Sequence, residues 1–255
     1  MNLTPVLPAE APWDFTALAD TYDFRPDYCR DLIHDLLAGM PLCGGDRVLD
    51  VGAGTGKLAA HLCAHGLDVI ALEPNPRMRA LALVKPALRS VRWIAGRGEA
   101  LPLADECFDA VTFGSSFNVV RASVALDECA RVVRPGGFWL AVYNHRDLDD
   151  PLQRSVEAII RRHIPGFDYG RRRSSPVAEL EAHGAFASFA ASERSFVVEV
   201  AAEEWMLAWH SHATLQRQAG HRLPAILAEI RSLIDSATTL SIPYTTRAWT
   251  ARRTA

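Results

Sequence analysis

Through the first half of the chain, short apolar runs alternate with longer stretches of helical periodicity. Val48-Leu49-Asp50-Val51 and Asp68-Val69-Ile70-Ala71-Leu72-Glu73 are apolar without alternation, the pattern of strands buried on both faces. Val91–Ala95, Phe108–Phe113 and Phe138–Tyr143 continue the series. Between them, Leu58 and Leu62 belong to a helix that Gly66 ends, and Leu126, Cys129, Val132 and Val133 mark the inward face of another over Ala122–Val133. Ahead of the first strand, Tyr28, Leu32, Ile33, Leu36, Leu37 and Met40 recur at helical spacing. Pro26 suits the first turn of that helix, and Gly39 with Pro41 stops it. Strands alternating with helices predict an α/β domain with a parallel sheet.

The second half adds two strand patterns, Phe196–Val200 and Leu240–Thr250, the latter with Pro243 at a bulge or strand end. Around them, Leu152, Val156, Ile159, Ile160 and Ile164 give an amphipathic helix, and a helical pair spans about 203–220 and 223–236, split near His221. These pieces exceed what a minimal sheet needs. The expected organisation is an N-terminal arm over 1–20, a ligand-binding core over 21–147, a helical cap from 148–185 and 203–236, and final strands within 186–202 and 237–255.

A chain of 255 residues can hold one large domain with such a cap inserted. The net charge of −3 lacks the basic excess of a polyanion binder, which disfavours nucleic acid as a partner. The five cysteines include no C-x-x-C pair and read as reduced thiols. Pro5, Pro8 and Pro12 stand where a signal peptide needs an apolar block, and no apolar run approaches membrane-spanning length. A soluble, cytoplasmic protein without a membrane partner is expected; a homo-oligomer is compatible with this composition.

The chemistry concentrates after the first strand, in Asp50-Val51-Gly52-Ala53-Gly54-Thr55-Gly56-Lys57-Leu58. Strand, glycine turn and helix together hold a nucleotide-like ligand over a helix N-terminus. The spacing is G-x-G-x-G: the dinucleotide fingerprint needs its last glycine where Lys57 stands, and a P-loop needs a hydroxyl residue where Leu58 stands. Asp50 suits a cationic group better than a phosphate. Val48–Ala59 resembles the first motif of class I S-adenosylmethionine-dependent methyltransferases. Arg131-Val132-Val133-Arg134-Pro135-Gly136-Gly137 matches the stretch that precedes their fifth strand, where its role is structural. The resemblance covers about residues 20–145. It implies a Rossmann-like, seven-stranded, mostly parallel sheet with an antiparallel last strand, here carrying a helical cap.

The same resemblance implies S-adenosylmethionine as cofactor, with Gly52, Gly54 and Gly56 beneath it and Asp50 placing its methionine portion. Tyr22-Asp23-Phe24-Arg25-Pro26-Asp27-Tyr28 resembles, with one residue fewer after its first tyrosine, a Tyr-x-x-x-Arg-Pro-x-Tyr segment whose tyrosine and arginine lie across the cofactor in one branch of the family. The resemblance implies that role for Tyr22 and Arg25, and a guanidinium there can pair the cofactor carboxylate. Glu73, which follows the second strand, stands where nucleotide-binding sheets bond ribose hydroxyls. Asn75 suits a helix cap, with Met78 facing the adenosine or the core. Gly98 and Glu99 fall in the adenine loop, although Arg97 replaces the acid common there. Ser115, with Phe117 and Asn118, follows the fourth strand at the active edge.

Methyl transfer needs alignment more than a catalytic dyad, because the cofactor carries the reactivity. Three histidines are candidate bases, in the order His145, His212, His210. Phe117, Asn118, Tyr143, Tyr169 and Arg172 are candidate acceptor contacts. The triplet Arg171–Arg173 could meet a carboxylate or phosphate substrate, with a solvated face as its alternative, and core packing is the alternative for the aromatic residues. No metal site is expected. A small-molecule acceptor in specialised metabolism is the favoured reading. A protein or RNA methyltransferase, a dinucleotide-dependent oxidoreductase and a catalytically silent cofactor-binding protein are the rivals. The acceptor atom does not follow from these residues.

Overall fold

A computed structural model describes residues 13–254; the proline-rich beginning of the predicted arm lies outside them. In chain order the elements are α1 (Ala19–Tyr22), α2 (Arg30–Gly39), β1 (Arg47–Val51), α3 (Lys57–Ala64), β2 (Asp68–Leu72), α4 (Pro76–Leu83), β3 (Arg92–Ile94), β4 (Phe108–Gly114), α5 (Ala122–Val132), β5 (Val133–Arg146), α6 (Pro151–His163), α7 (Val177–His183), β6 (Phe186–Ala201), α8 (Ala202–His210), α9 (Ala213–Ala219), α10 (Leu223–Ser232) and β7 (Thr239–Arg253). The seven strands form one sheet in the order β3-β2-β1-β4-β5-β7-β6. β7 runs antiparallel to both its neighbours, and the pairings among β1 to β5 are parallel.

The strand sequences account for the layering. Val48, Val69, Ala71, Ala110, Leu140 and Val142 point to one face, where Leu32, Ile33 and Leu37 of α2 and Leu58 and Leu62 of α3 cover them. The alternate positions Leu49, Val51, Ile70, Leu72, Ala141 and Tyr143 point to the other, beneath Leu126, Cys129 and Val132 of α5. Such double coverage is why these strands read as continuous apolar runs. A third cluster joins Val156 and Ile160 of α6 with Trp205, Trp209, Ile226 and Ile230, on a base of Ile242 and Tyr244 from β7. The cap therefore has its own small core. It stands on the part of the β6–β7 pair that continues, as Phe196↔Tyr244 through Ala201↔Thr239, past the end of β5.

Several expectations change. Residues 16–22 are helical, with Leu18 and Ala19 buried, so the arm ends sooner than residue 20. Pro26 precedes α2, whose N-cap is Cys29. Pro135-Gly136-Gly137, expected ahead of the fifth strand, lies inside β5, at a register shift against β4 with Gly136 at φ +79°; α5 does end before it, at Val132. β6 begins ten positions before the predicted Phe196. Pro243 pairs with Val197 in mid-strand; β5 stops pairing at Tyr244, so the missing N–H of Pro243 faces no ladder there. The predicted helix over 203–220 breaks at Ser211-His212 into α8 and α9. Finally, α7 belongs to the sheet layer and not the cap: Leu180 is buried with Leu126, Phe186 and Trp139.

That last placement is testable. Leu180→Ala should cost about 2–5 kcal/mol of global stability in chemical denaturation, the usual range for a buried leucine; a helix belonging to the cap would leave the main transition in place.

Candidate active site

The site lies at the carboxyl edge of the sheet, where the chain leaves β1 and β4 in opposite directions across the strand order. After β1, the backbone N–H groups of Gly52 and Ala53 both donate to the carbonyl of Leu72, folding the turn onto the end of β2. The three glycines have positive φ but different duties. A side chain at Gly52 would strike Ser116, with Cβ at 2.7 Å, and one at Gly56 would strike Leu88, so both are held by packing. A Cβ at Gly54 meets nothing nearer than Tyr22 at 3.8 Å, and it would project into the cleft. Gly56 lines no part of the cleft, which corrects its expected role as a contact.

The cleft has two lobes that share Tyr22, Gly52 and Ser115. The lobe of about 730 Å³ is bounded by Glu73, Met78, Gly98 and Glu99. Glu73 is buried at the end of β2 and accepts from Gly54 N at 2.9 Å and Asn75 N at 2.8 Å. Burial pushes its carboxyl above the usual range. Asn75 is turned away: its Oδ1 caps α4 by accepting from Arg77 N and Met78 N, and its amide donates to Thr16. Glu99 borders the lobe, yet one of its oxygens accepts from Arg121 N at 3.0 Å, ahead of α5.

The other lobe, about 920 Å³, runs from the glycine turn to the cap. Asp50 is on its floor, fully buried. One carboxylate oxygen accepts from Thr112 Oγ1 at 3.0 Å; the other has no partner. Burial pushes this carboxyl up to about 7. Ser115 sits in the left-handed region at φ +56°, uncommon for a side-chain-bearing residue, and receives a 3.2 Å hydrogen bond from Tyr28 Oη. Over the cleft, Arg25 stacks 4.4 Å from the Tyr22 ring. Its Nε donates to Ser211 Oγ at 2.8 Å and its Nη2 to the Ser211 carbonyl, between α8 and α9. Burial pulls this guanidinium down to about 10. The geometry thus makes Arg25 a strap from the N-terminal segment to the cap, a role its sequence motif did not reveal.

His145, at the end of β5, is 3% exposed, lines the lobe and has an unpartnered Nε2. Burial first, then Arg173 and Arg172, pulls it down to about 3, so it is neutral at pH 7. His212 also lines the lobe, stacked 5.3 Å from Trp209. Its Nδ1 accepts from Leu215 N at 3.1 Å as the cap of α9. His210 is exposed on α8 and does not reach the cleft. Phe117 and Tyr143 are core residues: Phe117 packs edge-on to Phe113 and Trp139, and Tyr143 against Trp249. Asn118 borders an outer groove with Arg121 and Arg171, while Tyr169 and Arg172 do line the inner lobe. Arg146 and Asn144 also line it and were missed; their place past the fifth strand, beside His145, was the available signal.

A methyltransferase-domain family description matches residues 49–141. A demethylmenaquinone methyltransferase of Renibacterium salmoninarum is 34% identical over 181 residues, covering 67% of this chain and 73% of that protein. The chain belongs to the class I S-adenosylmethionine-dependent methyltransferases. An uncharacterized methyltransferase of Mycobacterium tuberculosis is 40% identical over 138 residues, 54% of each chain, so the match spans about half of that relative. Among solved structures, the YcgJ protein of Bacillus subtilis has the same fold, with a TM-score of 0.56 at 18% identity, covering 89% of this chain and all of that one. The seven-stranded, mostly parallel sheet with antiparallel β7 is the arrangement that the resemblance implied. Among the described residues no helix is long and apolar enough to cross a membrane, and no cluster of three metal-ligating side chains occurs.

Asp50 yields a prediction with a definite sign. Its folded pKa lies above the unfolded carboxylate value, so its burial lowers stability progressively as pH rises from about 4 to about 7. Asp50→Asn should raise the melting temperature of the unliganded protein at pH 8 and flatten that pH dependence, while weakening S-adenosylhomocysteine binding at least tenfold, roughly 1.4 kcal/mol. Calorimetry with and without ligand separates the two effects.

Proposed function

We propose that this protein transfers a methyl group from S-adenosylmethionine to a small-molecule acceptor held beneath the cap. One observation carries the reading. A single cleft at the switch point of the sheet has a buried acid in each lobe, and one of them, Asp50, keeps a carboxylate oxygen without a hydrogen-bond partner among the described residues. Buried polar atoms are rarely left so, and an ammonium group is the natural partner of this one. Glu73 retains lone pairs for ribose hydroxyls, and Met78 and Gly98 line the same lobe, offering an apolar wall and a backbone edge for a base. The residues therefore fit the cofactor, which when bound supplies an electrophilic methyl group.

The protein's own contribution is alignment and dryness. Tyr22, Gly52 and Ser115, common to both lobes, mark where the reacting atoms meet, and the strap and cap exclude water. Neutral His145 can accept a proton from an acceptor but is a weak base at a pKa of about 3, in keeping with chemistry that leans on orientation. A capped cavity of this size supports a small acceptor over a protein or RNA chain. The Renibacterium relative, named for a quinone-precursor substrate, supports the same class.

Calorimetric titration with S-adenosylhomocysteine tests the proposal: micromolar binding is expected, and absence of binding would overturn it. Glu73→Ala should weaken that binding roughly tenfold or more, through loss of hydrogen bonds to a charged group, and leave turnover at saturating cofactor less affected. His145→Gln should lower kcat with little change in cofactor affinity; full activity at every pH would remove it as a proton acceptor.

A further inference from the structure

We propose that the acceptor carries an oxyanion, a carboxylate or phosphate group, seated among Arg146, Arg172 and Arg173. The inference rests on the methyltransferase reading and deepens it by assigning a substrate class. The residues lining the inner lobe include four arginines, Arg25, Arg146, Arg172 and Arg173, together with Lys57, against one acid, Asp50. None of these four guanidinium groups makes a salt bridge among the described residues, whereas Arg171, adjacent in sequence, is bridged to Glu179 at 3.2 Å.

Each arginine is positioned without being neutralised. Arg146 lies 3.8 Å from the centre of the Trp209 ring, and its buried Nε has no hydrogen-bond partner. Arg172 makes only a 3.4 Å contact to the carbonyl of Asn144. Arg173 lies 5.4 Å from the Tyr169 ring, half withdrawn from water. Glu157, an acid of the cap whose charge reaches Arg173, is held by Tyr169 Oη and Arg161, each at 2.7 Å. His145, 3% exposed with an unpartnered Nε2, stands against the same group and is depressed by the charges of both Arg172 and Arg173.

The cofactor cannot account for this excess. It brings one carboxylate, which a single cation such as Lys57 or the free edge of Arg25 can meet, and it also brings an ammonium and a sulfonium. A loaded cleft would hold still more positive charge. Unpaired cations withdrawn from water are costly, and the stable resolution is an anion that completes them. Guanidinium forks suit planar or tetrahedral oxyanions through paired N–H donors, and a Lys cluster would not offer that geometry. The three arginines come from the end of β5 and from the 170–173 turn, and they line the lobe that reaches the cap and not the one bounded by Glu73, Met78 and Gly98. The acceptor's oxyanion is accordingly assigned to that lobe.

The test uses the full-length protein saturated with S-adenosylhomocysteine, titrated with citrate, with phenyl phosphate and with the neutral trimethyl citrate. At least one anion should bind and the neutral ester should not; citrate or phenyl phosphate alone binding identifies carboxylate or phosphate as the group. Arg172→Gln and Arg173→Gln should each weaken the bound anion by about tenfold to a hundredfold, the range for hydrogen bonds to charged groups, with S-adenosylhomocysteine affinity within about threefold. Equal binding of the ester, binding of neither anion, or undiminished anion affinity in both variants would overturn the proposal and leave the methyltransferase reading intact. Failure of S-adenosylhomocysteine itself to bind would remove both.

Discussion

The structure is built around a carboxylate that the protein does not satisfy. Asp50 ends β1 in the middle of the sheet, with neighbouring strands on both sides and helices above and below. Water cannot reach it, Thr112 occupies one oxygen, and the other faces the cleft without a partner. A sheet buried on both faces tolerates such an acid only at its carboxyl edge, where a ligand can complete it. The turn of Gly52 and Gly54, the buried acid Glu73 and the left-handed Ser115 are arranged about that point. Local strain and burial at these positions weaken the unliganded molecule and prepare a cavity of opposite charge.

The second half of the chain serves this centre from a distance. β6 and β7 continue beyond β5, and that extension supports a cap with an apolar core of its own. The N-terminal segment crosses the cleft and is tied at several points: Asp20 to Arg77, Asp23 to Lys85 and Arg25 to Ser211. Exposed ion pairs of this kind contribute little each. The buried Arg25 bonds matter more, because they couple the strap over the proposed cofactor lobe to the cap over the proposed acceptor lobe.

Charge divides the cleft in the same way. Its acids, Asp50, Glu73 and Glu99, come from the first half of the chain, and three of the four arginines without a salt bridge among the described residues, Arg146, Arg172 and Arg173, come from the end of β5 and the 170–173 turn, the fourth being Arg25 of the N-terminal segment. Family motifs describe the first half, whereas the cationic group lies at or beyond the end of the matched residues. The part of the site proposed to meet the acceptor thus lies beyond the residues that the family description matches.

The sequence by itself determined the sheet, the crossover helices and the cofactor end of the cleft. Those features depend on short-range signals: unbroken apolar runs, glycines at fixed spacing, and an acid directly after a strand. It also marked His145 and Arg172, because strand ends and an arginine triplet are local patterns. Only the tertiary structure decided which similar residues face ligand. Phe117 and Tyr143 became core, and His210 turned outward while His212 turned in. Arg25 was claimed by Ser211, a partner 186 positions away, and Arg146 and Arg173 converge only because β5 and the cap meet there. Side-chain direction in these cases is fixed by contacts between distant segments, and no spacing along the chain encodes it.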